Sequence, residues 1–388
     1  MEKSLSLYIH IPYCLQKCHY CDFVKFDVNE IPPIDDYLKL LLMELELNSD
    51  FHTQKIESLY FGGGTPSLLT VKQFELLMTA IHSHFNLSEK CEITLEINPG
   101  TVDKNKLDNL LLLGFNRFSL GVQSFNDKHL NACGRKHSSG DAHKDLALFS
   151  SMDLNFSADI LFGLPNQSLS ELTLDIQTLS QYSPPHVSPY NLTLPKKHFF
   201  NADRASDETQ IKMLNIISKE LKKIDIFRYE VSNFSKKGFE SKHNQIYWSD
   251  KTYLGLGMGA HSYIKDSGDW GKRMWNTGSY EKYAHCVGQA KRPHQKFEVL
   301  KKHEALTDFF HTRLRPLVGF RLENAESKFD LNKHGLILLK KQLLLLEQKK
   351  LISYSKGHWA LTSTGLEMPN EVFKELCFLE EDLQNVRK

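Results

Sequence analysis

The run Tyr8-Ile9-His10-Ile11-Pro12-Tyr13-Cys14-Leu15-Gln16-Lys17-Cys18-His19-Tyr20-Cys21-Asp22-Phe23 puts three of the chain's seven cysteines in one short stretch behind an apolar strand-like segment. A loop this short can aim three thiolates at one point, as iron and zinc centres require. A four-iron cluster held by only three cysteines keeps one iron open to a ligand. A structural zinc site completed by His10 or His19 would use the same thiolates, and ordinary buried thiols are the plainer alternative. A disulfide is the reading least expected.

The rest of the chain bounds these choices. With 388 residues and 44.8 kDa it can bury a sizeable core, and one large domain plus a smaller one is expected. Lys+Arg 48 against Asp+Glu 47 leaves a net charge of +1, so no global basic field argues for nucleic acid or an anionic membrane. Met1-Glu2-Lys3-Ser4 leads straight into a strand-like run, without a signal-peptide pattern or an apolar stretch of spanning length. The expected location is cytoplasmic, with at most peripheral membrane contact. Reducing conditions there keep thiols free, and the scattered Cys91, Cys133, Cys286 and Cys377 read as packing residues.

Apolar runs of strand length alternate with helical patterns through the first half. Leu5 to Ile11, Glu57 to Phe61, Glu92 to Ile97, Arg117 to Val122, Phe156 to Phe162 and His186 to Leu194 read as strands. The helices between them are Ile34 to Leu47, Val71 to Phe85, Asp103 to Leu113, Gly140 to Met152 and Leu169 to Tyr182. Repeated βα units imply a parallel sheet, and six of them fit a partial, TIM-like (β/α)6 barrel of α/β class over residues 1–195. Residues 196–296 read as a connecting subdomain that starts with a helix from Asp207 to Ile224. From about Phe297 the pattern becomes helical, Phe297 to Leu314 and Gly335 to Lys349. Two short strands around Lys356-Gly357 follow, a mainly helical, winged-helix-like module over 297–388.

In a parallel barrel the loops after the strand C-termini build the site. Gly62-Gly63-Gly64-Thr65-Pro66 follows the second strand and lets the backbone approach a ligand closely. Glu96, Gln123 and Asp159 are polar residues among apolar neighbours at the third, fourth and fifth strands. A carboxylate there is costly unless something satisfies it, and ribose hydroxyls or an ammonium would. Arg135, in Gly134-Arg135-Lys136-His137, could fork onto a carboxylate.

Read together, Tyr8-x-His10-Ile11-Pro12, the cysteine loop, Gly62 to Ser67, Glu96-x-Asn98-Pro99-Gly100, Gly121-Val122-Gln123-Ser124-Phe125 and Gly163-Leu164-Pro165 are similar to one family. It is the radical S-adenosylmethionine (SAM) family of oxygen-independent coproporphyrinogen oxidases and their HemW relatives. The resemblance implies a [4Fe-4S] cluster on Cys14, Cys18 and Cys21. It implies a SAM pocket of Tyr8, Tyr20, Gly63, Gly64, Thr65, Glu96, Gln123, Arg135 and Asp159. The glycine turn would meet the methionine amino group, Glu96 and Asp159 other polar groups of SAM, and Arg135 and Gln123 a second SAM or equivalent ligand. Phe23 stands where the oxidases have a fourth cysteine, and only seven residues precede Tyr8, where they carry a longer arm. Both features favour the HemW branch. So does Lys242-His243-Asn244-Gln245-Ile246-Tyr247-Trp248, which resembles the HNxxYW motif of that branch. It implies haem binding by His243, Asn244, Tyr247 and Trp248, with His243 on the iron. Leu194-Pro195-Lys196-Lys197-His198 departs from the Glu-Pro-Asn-Thr of many relatives, so the resemblance assigns no contacts to that loop.

The reading that results is a haem chaperone that delivers haem to apo-haemoproteins of respiration, with a homodimer possible and no nucleic-acid partner. The alternative is an enzyme, oxidative decarboxylation of coproporphyrinogen III through the SAM radical. A third class, radical SAM modification of RNA, draws on the winged-helix pattern and is weakened by the near-neutral charge.

Overall fold

The computed structural model describes residues 4–195, 197–265 and 270–383. Lys196 and the leading Met1-Glu2-Lys3 lie outside them. Six parallel strands, β1 (Ser4–Ile11), β2 (Lys55–Gly63), β3 (Asn86–Ile97), β4 (Arg117–Gln123), β5 (Phe156–Phe162) and β6 (His186–Asn191), pair in chain order. Both faces of β1 and β4 are covered although their sequences alternate: Leu5, Leu7, Ile9 and Ile11, and Phe118, Leu120 and Val122, share one face, while Ser6, Tyr8 and His10, and Arg117, Ser119 and Gly121, share the other. The intervening helices are α1 (Ile34–Leu47), α2 (Val71–His84), α3 (Lys104–Leu112), α4 (Asp127–Ala132), α5 (Ser139–Ser151) and α6 (Leu169–Ser180). Capping boxes Thr70/Gln73, Ser138/Asp141 and Ser168/Glu171 fix the starts of α2, α5 and α6 by satisfying amides that have no partner inside the helix.

The sheet does not stop at six strands. After α7 (Asp207–Lys222), β7 (Phe227–Arg228) and β8 (Phe234–Ser235) extend it antiparallel beyond β6. After α8 (Lys242–Tyr247), β9 (Thr252–Leu256) pairs parallel with β1, followed antiparallel by β10 (His261–Ile264), β11 (Lys272–Asn276) and β12 (His294–Val299). The order is β12-β11-β10-β9-β1-β2-β3-β4-β5-β6-β8-β7. One hydrophobic core runs from Leu5 to Val287, so the residues after 195 complete the barrel's core.

A second core gathers Leu300 to Phe378. It holds α9 (Tyr280–Gly288) outside itself and is built from α10 (Lys302–Arg313), α11 (Leu322–Phe329), α12 (Lys333–Gln348) and the hairpin β13 (Ile352–Ser355)/β14 (His358–Leu361). Lys356 and Gly357 both have positive φ, the turn that matches strand twist in a two-residue hairpin. The expected helix from Phe297 is corrected: residues 294–299 are an edge strand and the helix starts at Lys302. The reason is register, since every residue of the strand but Gln295, which sits at a bulge, finds a backbone partner on β11. Strand β6 likewise ends at Asn191, three residues short of the expected Leu194.

Candidate functional site

The cysteine loop lies across the C-terminal mouth of the barrel and is tied down on two sides. Gly64 N–H donates to Ile11 O (2.8 Å) and Thr65 N–H to Tyr13 O (2.7 Å), binding the loop's start to the glycine turn. His19 N–H donates to Cys133 O (3.0 Å), so the short helix α4, which the sequence reading missed, holds the far side. Gly63 and Gly64 are needed here. Gly63 has φ +115° and a Cβ on it would meet the His10 ring at 2.6 Å, while one on Gly64 would meet Tyr13 O at 2.6 Å.

Beneath the loop is a cavity of about 490 Å³. Cys14, Cys18 and Cys21 all border it, as do Tyr20, Gly63, Gly64, Thr65, Glu96, Gln123, Arg135 and Asp159. Tyr8 does not. It stands one layer deeper, with its hydroxyl on His10 Nδ1 (3.0 Å). Neither histidine of the zinc alternative joins the thiols: His10 Nε2 bonds Val24 O (2.7 Å) and His19 Nδ1 bonds Ala132 O (3.0 Å). Among the described residues no three Cys, His, Asp or Glu side chains are grouped to hold a single metal ion. Three thiols bordering one cavity are the donor set that holds a four-iron cluster with one iron open. Burial pushes the Cys14 thiol up to about 11, against the hydrogen bond from Thr65, so a bound metal must displace its proton.

The two carboxylates are half-buried and face the cavity, and among the described residues neither is in an ion pair, although Arg117 lies near enough to stabilise the Asp159 anion. Glu96 accepts from Tyr60 OH (2.7 Å, Oε1) and Gly63 N–H (3.1 Å, Oε2). Burial nevertheless raises it to about 7. Asp159 accepts from Ser119 (2.8 Å) and Ser157 (3.0 Å), and burial raises it to about 6. Such a pair is suited to a cationic ligand, whose charge would return both groups to the ionised form. Arg135 is held in place by Asn98 Oδ1 (2.8 Å) and Gly121 O (2.9 Å), with Nη1 on Cys18 Sγ (3.6 Å). Gln123 sits at φ +65°, a strained conformation for a residue with a side chain, at the point where β4 turns into the cavity wall.

Several participants had no role assigned from sequence. Asn98 bridges Arg135 and Thr65 (2.8 Å), and Tyr60 positions Glu96. The signal for Tyr60 was present, because it shares the inward face of β2 with Ser58 at period two. Glu44 had no such signal. Fully buried in α1, it accepts from Gly257 N–H (2.7 Å), Tyr283 OH (2.6 Å) and Asn276 Nδ2 (2.7 Å), and so fixes the turn after β9. Gly259 of that turn packs against Val24 of the cysteine loop, which gives the Gly255 to Ser262 segment a supporting role.

The four residues expected to meet haem are not in this cavity. His243, in α8, is buried inside the barrel, with Nδ1 on Ser58 Oγ (2.9 Å) and Nε2 on Tyr247 OH (2.9 Å). Both ring nitrogens are therefore occupied. Asn244 N–H donates to the Ser241 cap (3.2 Å), and Trp248 lies under the Arg315 guanidinium (4.6 Å) from the C-terminal module.

The chain matches the radical SAM superfamily over residues 8–179. It is 33% identical over 391 aligned positions to the heme chaperone HemW of Lactococcus lactis, with 99% of each chain covered. That likeness spans both cores. The chain belongs to the HemW family of radical SAM proteins. HemW of Escherichia coli is 36% identical over 265 positions, covering 67% of this chain and 70% of that one. The solved structure of coproporphyrinogen III oxidase (HemN) from Escherichia coli superposes with a TM-score of 0.84 at 22% identity, covering 97% of this chain and 90% of that one. That likeness establishes a shared fold. HemW membership in the superfamily implies a [4Fe-4S] cluster and SAM, and the cavity's thiols, glycine cradle and uncompensated carboxylates fit both. No helix among the described residues is long and apolar enough to cross a membrane.

Proposed function

We propose that this chain is a cytoplasmic haem chaperone that binds haem and hands it to apo-haemoproteins, respiratory enzymes among them. The observation that carries the reading is the end-to-end likeness to a protein named heme chaperone HemW. Phe23 supports it: the residue at the fourth position of the loop is an exposed aromatic and cannot ligate iron.

In this reading Cys14, Cys18 and Cys21 hold the [4Fe-4S] cluster, which supplies a redox-active iron with an open position. The chain's own residues do the rest. Gly63 and Gly64 bring backbone to the SAM amino group, Thr65 and Tyr20 line the pocket, and Tyr8 backs it. Glu96 and Asp159 compensate positive charge, and Arg135 with Gln123 faces a second ligand. Haem ligation by His243 requires α8 to turn out of the barrel, exchanging the Ser58 and Tyr247 hydrogen bonds for iron. That coupling makes loading and release conformational events, and pairing of two copies is a natural way to gate them.

Titration of haem into the cluster-reconstituted protein should give a saturable Soret change that His243→Ala alters. The same preparation, given coproporphyrinogen III and SAM without oxygen, tests the second reading, which the HemN-like fold favours. Accumulation of protoporphyrinogen IX would overturn a purely chaperone role.

A further inference from the structure

The interior of this barrel is unusually polar below the cavity. Ser119, Ser157 and Ser188 face one another from β4, β5 and β6, and His186 lies buried beneath them. From Asp159 a hydrogen-bonded line leads away from the cavity, with a side branch from Ser157 Oγ to Ser188 Oγ (3.0 Å). Ser157 Oγ donates to Asp159 Oδ1 (3.0 Å), Ser157 Oγ meets His186 Nδ1 (2.9 Å), and His186 Nε2 meets Tyr229 OH (2.9 Å).

The donors can be assigned throughout. Tyr229 O accepts from Ser241 N–H (3.2 Å), and the phenol proton is assigned to the remaining partner, His186 Nε2. His186 then carries its proton on Nδ1 and donates to Ser157, whose proton is committed to Asp159. Every bond in the line points the same way. Tyr229 is half-buried, in the segment that joins β7 to β8 at the opposite end of the barrel from the cysteine loop.

We propose that Ser157, His186 and Tyr229 form a proton relay that lets Asp159 exchange protons with solvent while a ligand closes the cavity mouth. The inference rests on the reading of the cavity as a SAM pocket. Proton uptake moves the Tyr229 hydroxyl proton to His186 Nε2, the Nδ1 proton to Ser157 and the Ser157 proton to Asp159, and Tyr229 is refilled from solvent. Release runs the same line backwards, with no net oxidation or reduction.

The surroundings suit the role. Besides the three serines, Asp159 feels Arg117, which stabilises its anion, and shares the cavity with Glu96, Tyr60 and Tyr190. Burial, helped by Arg117, holds His186 neutral, as a relay through both ring nitrogens requires. Burial sets Asp159 near 6, so a proton is present to be displaced when a cation binds in mildly acidic solution.

The test is stopped-flow mixing of SAM with the oxidised, cluster-reconstituted protein in weak buffer near pH 6. An indicator dye reports protons and intrinsic fluorescence reports SAM capture. In the unaltered protein, proton appearance should keep pace with capture. Tyr229→Phe, which keeps the ring, should leave capture and the total proton count unchanged. It should delay about tenfold or more the part of the release that Asp159→Asn removes, the rest coming from Glu96, the effect of a barrier raised by roughly 1.4 kcal/mol. Ser157→Ala should give the same delay from the other end of the line. Coincident proton and capture traces in both variants, or no proton release in the unaltered protein, would overturn the relay. Full proton release from Asp159→Asn, or no SAM capture at all, would instead overturn the assignment of the pocket.

Discussion

The Tyr60 ring stacks on the His243 imidazole with centroids 4.9 Å apart and 27° between the planes. The same tyrosine donates to Glu96, so one side chain touches both the cavity wall and the HNxxYW segment. Haem-motif and cofactor-pocket residues, 147 positions apart in sequence, are separated in space by a single ring.

Tyr60→Phe keeps the stack and removes the donor to Glu96. Losing one hydrogen bond to a carboxylate of about 1.5 kcal/mol should weaken SAM binding roughly tenfold. Equilibrium dialysis with labelled SAM measures this. Equal dissociation constants would mean that Glu96 is oriented without Tyr60.

His243→Ala should cost stability as well as haem. It takes a hydrogen-bond partner from the half-buried Tyr247 hydroxyl and one of two from the buried Ser58 hydroxyl, which keeps Ser6 Oγ (2.7 Å), and it leaves a cavity, together on the order of 3 kcal/mol. Denaturant unfolding of the haem-free variant reads the stability term, and a midpoint equal to that of the parent would contradict the buried geometry. Haem effects should be compared at matched fraction folded.

Glu96 is raised in the fold, from 4.5 to about 7, chiefly by burial. The folded protein therefore binds the proton more tightly than the unfolded chain does. Its carboxyl costs nothing below about pH 4.5 and destabilises increasingly as pH rises towards 7. Ligand-free Glu96→Gln should gain on the parent between pH 5 and pH 7.5, by about 1–2 kcal/mol once solvent access to the half-buried group is allowed for. Parallel stability curves in urea at the two pH values would refute this sign.

Gly259→Ala and Gly238→Ala separate strain from contact. Both glycines have positive φ, but a Cβ meets Val24 at 2.5 Å from Gly259 and nothing within 4 Å from Gly238. Each should lose about 1 kcal/mol of stability to backbone strain. Only Gly259→Ala should displace the cysteine loop and lower iron and sulfide content after reconstitution. Full iron loading of that variant would show that the turn after β9 does not support the loop.

The sequence by itself determined the six βα units, because helical and strand periods alternate with their own caps and turns. It also marked the cavity residues Cys14, Cys18, Cys21, Gly63, Gly64, Thr65, Glu96, Gln123, Arg135 and Asp159, since the ends of parallel strands must converge on one mouth. Tertiary structure alone decided what depends on partners far along the chain. Thr252–Leu256 becomes a seventh parallel strand because β1 offers an unpaired edge. Residues 294–299 are strand rather than helix because β11 supplies their hydrogen bonds. Glu44, His186 and Tyr229 look ordinary in sequence and gain their roles from neighbours 29 to 239 positions away. His243 shows the difference most plainly. Its motif is legible in six residues, but whether its nitrogens are free is set by Ser58, on a strand of the barrel wall.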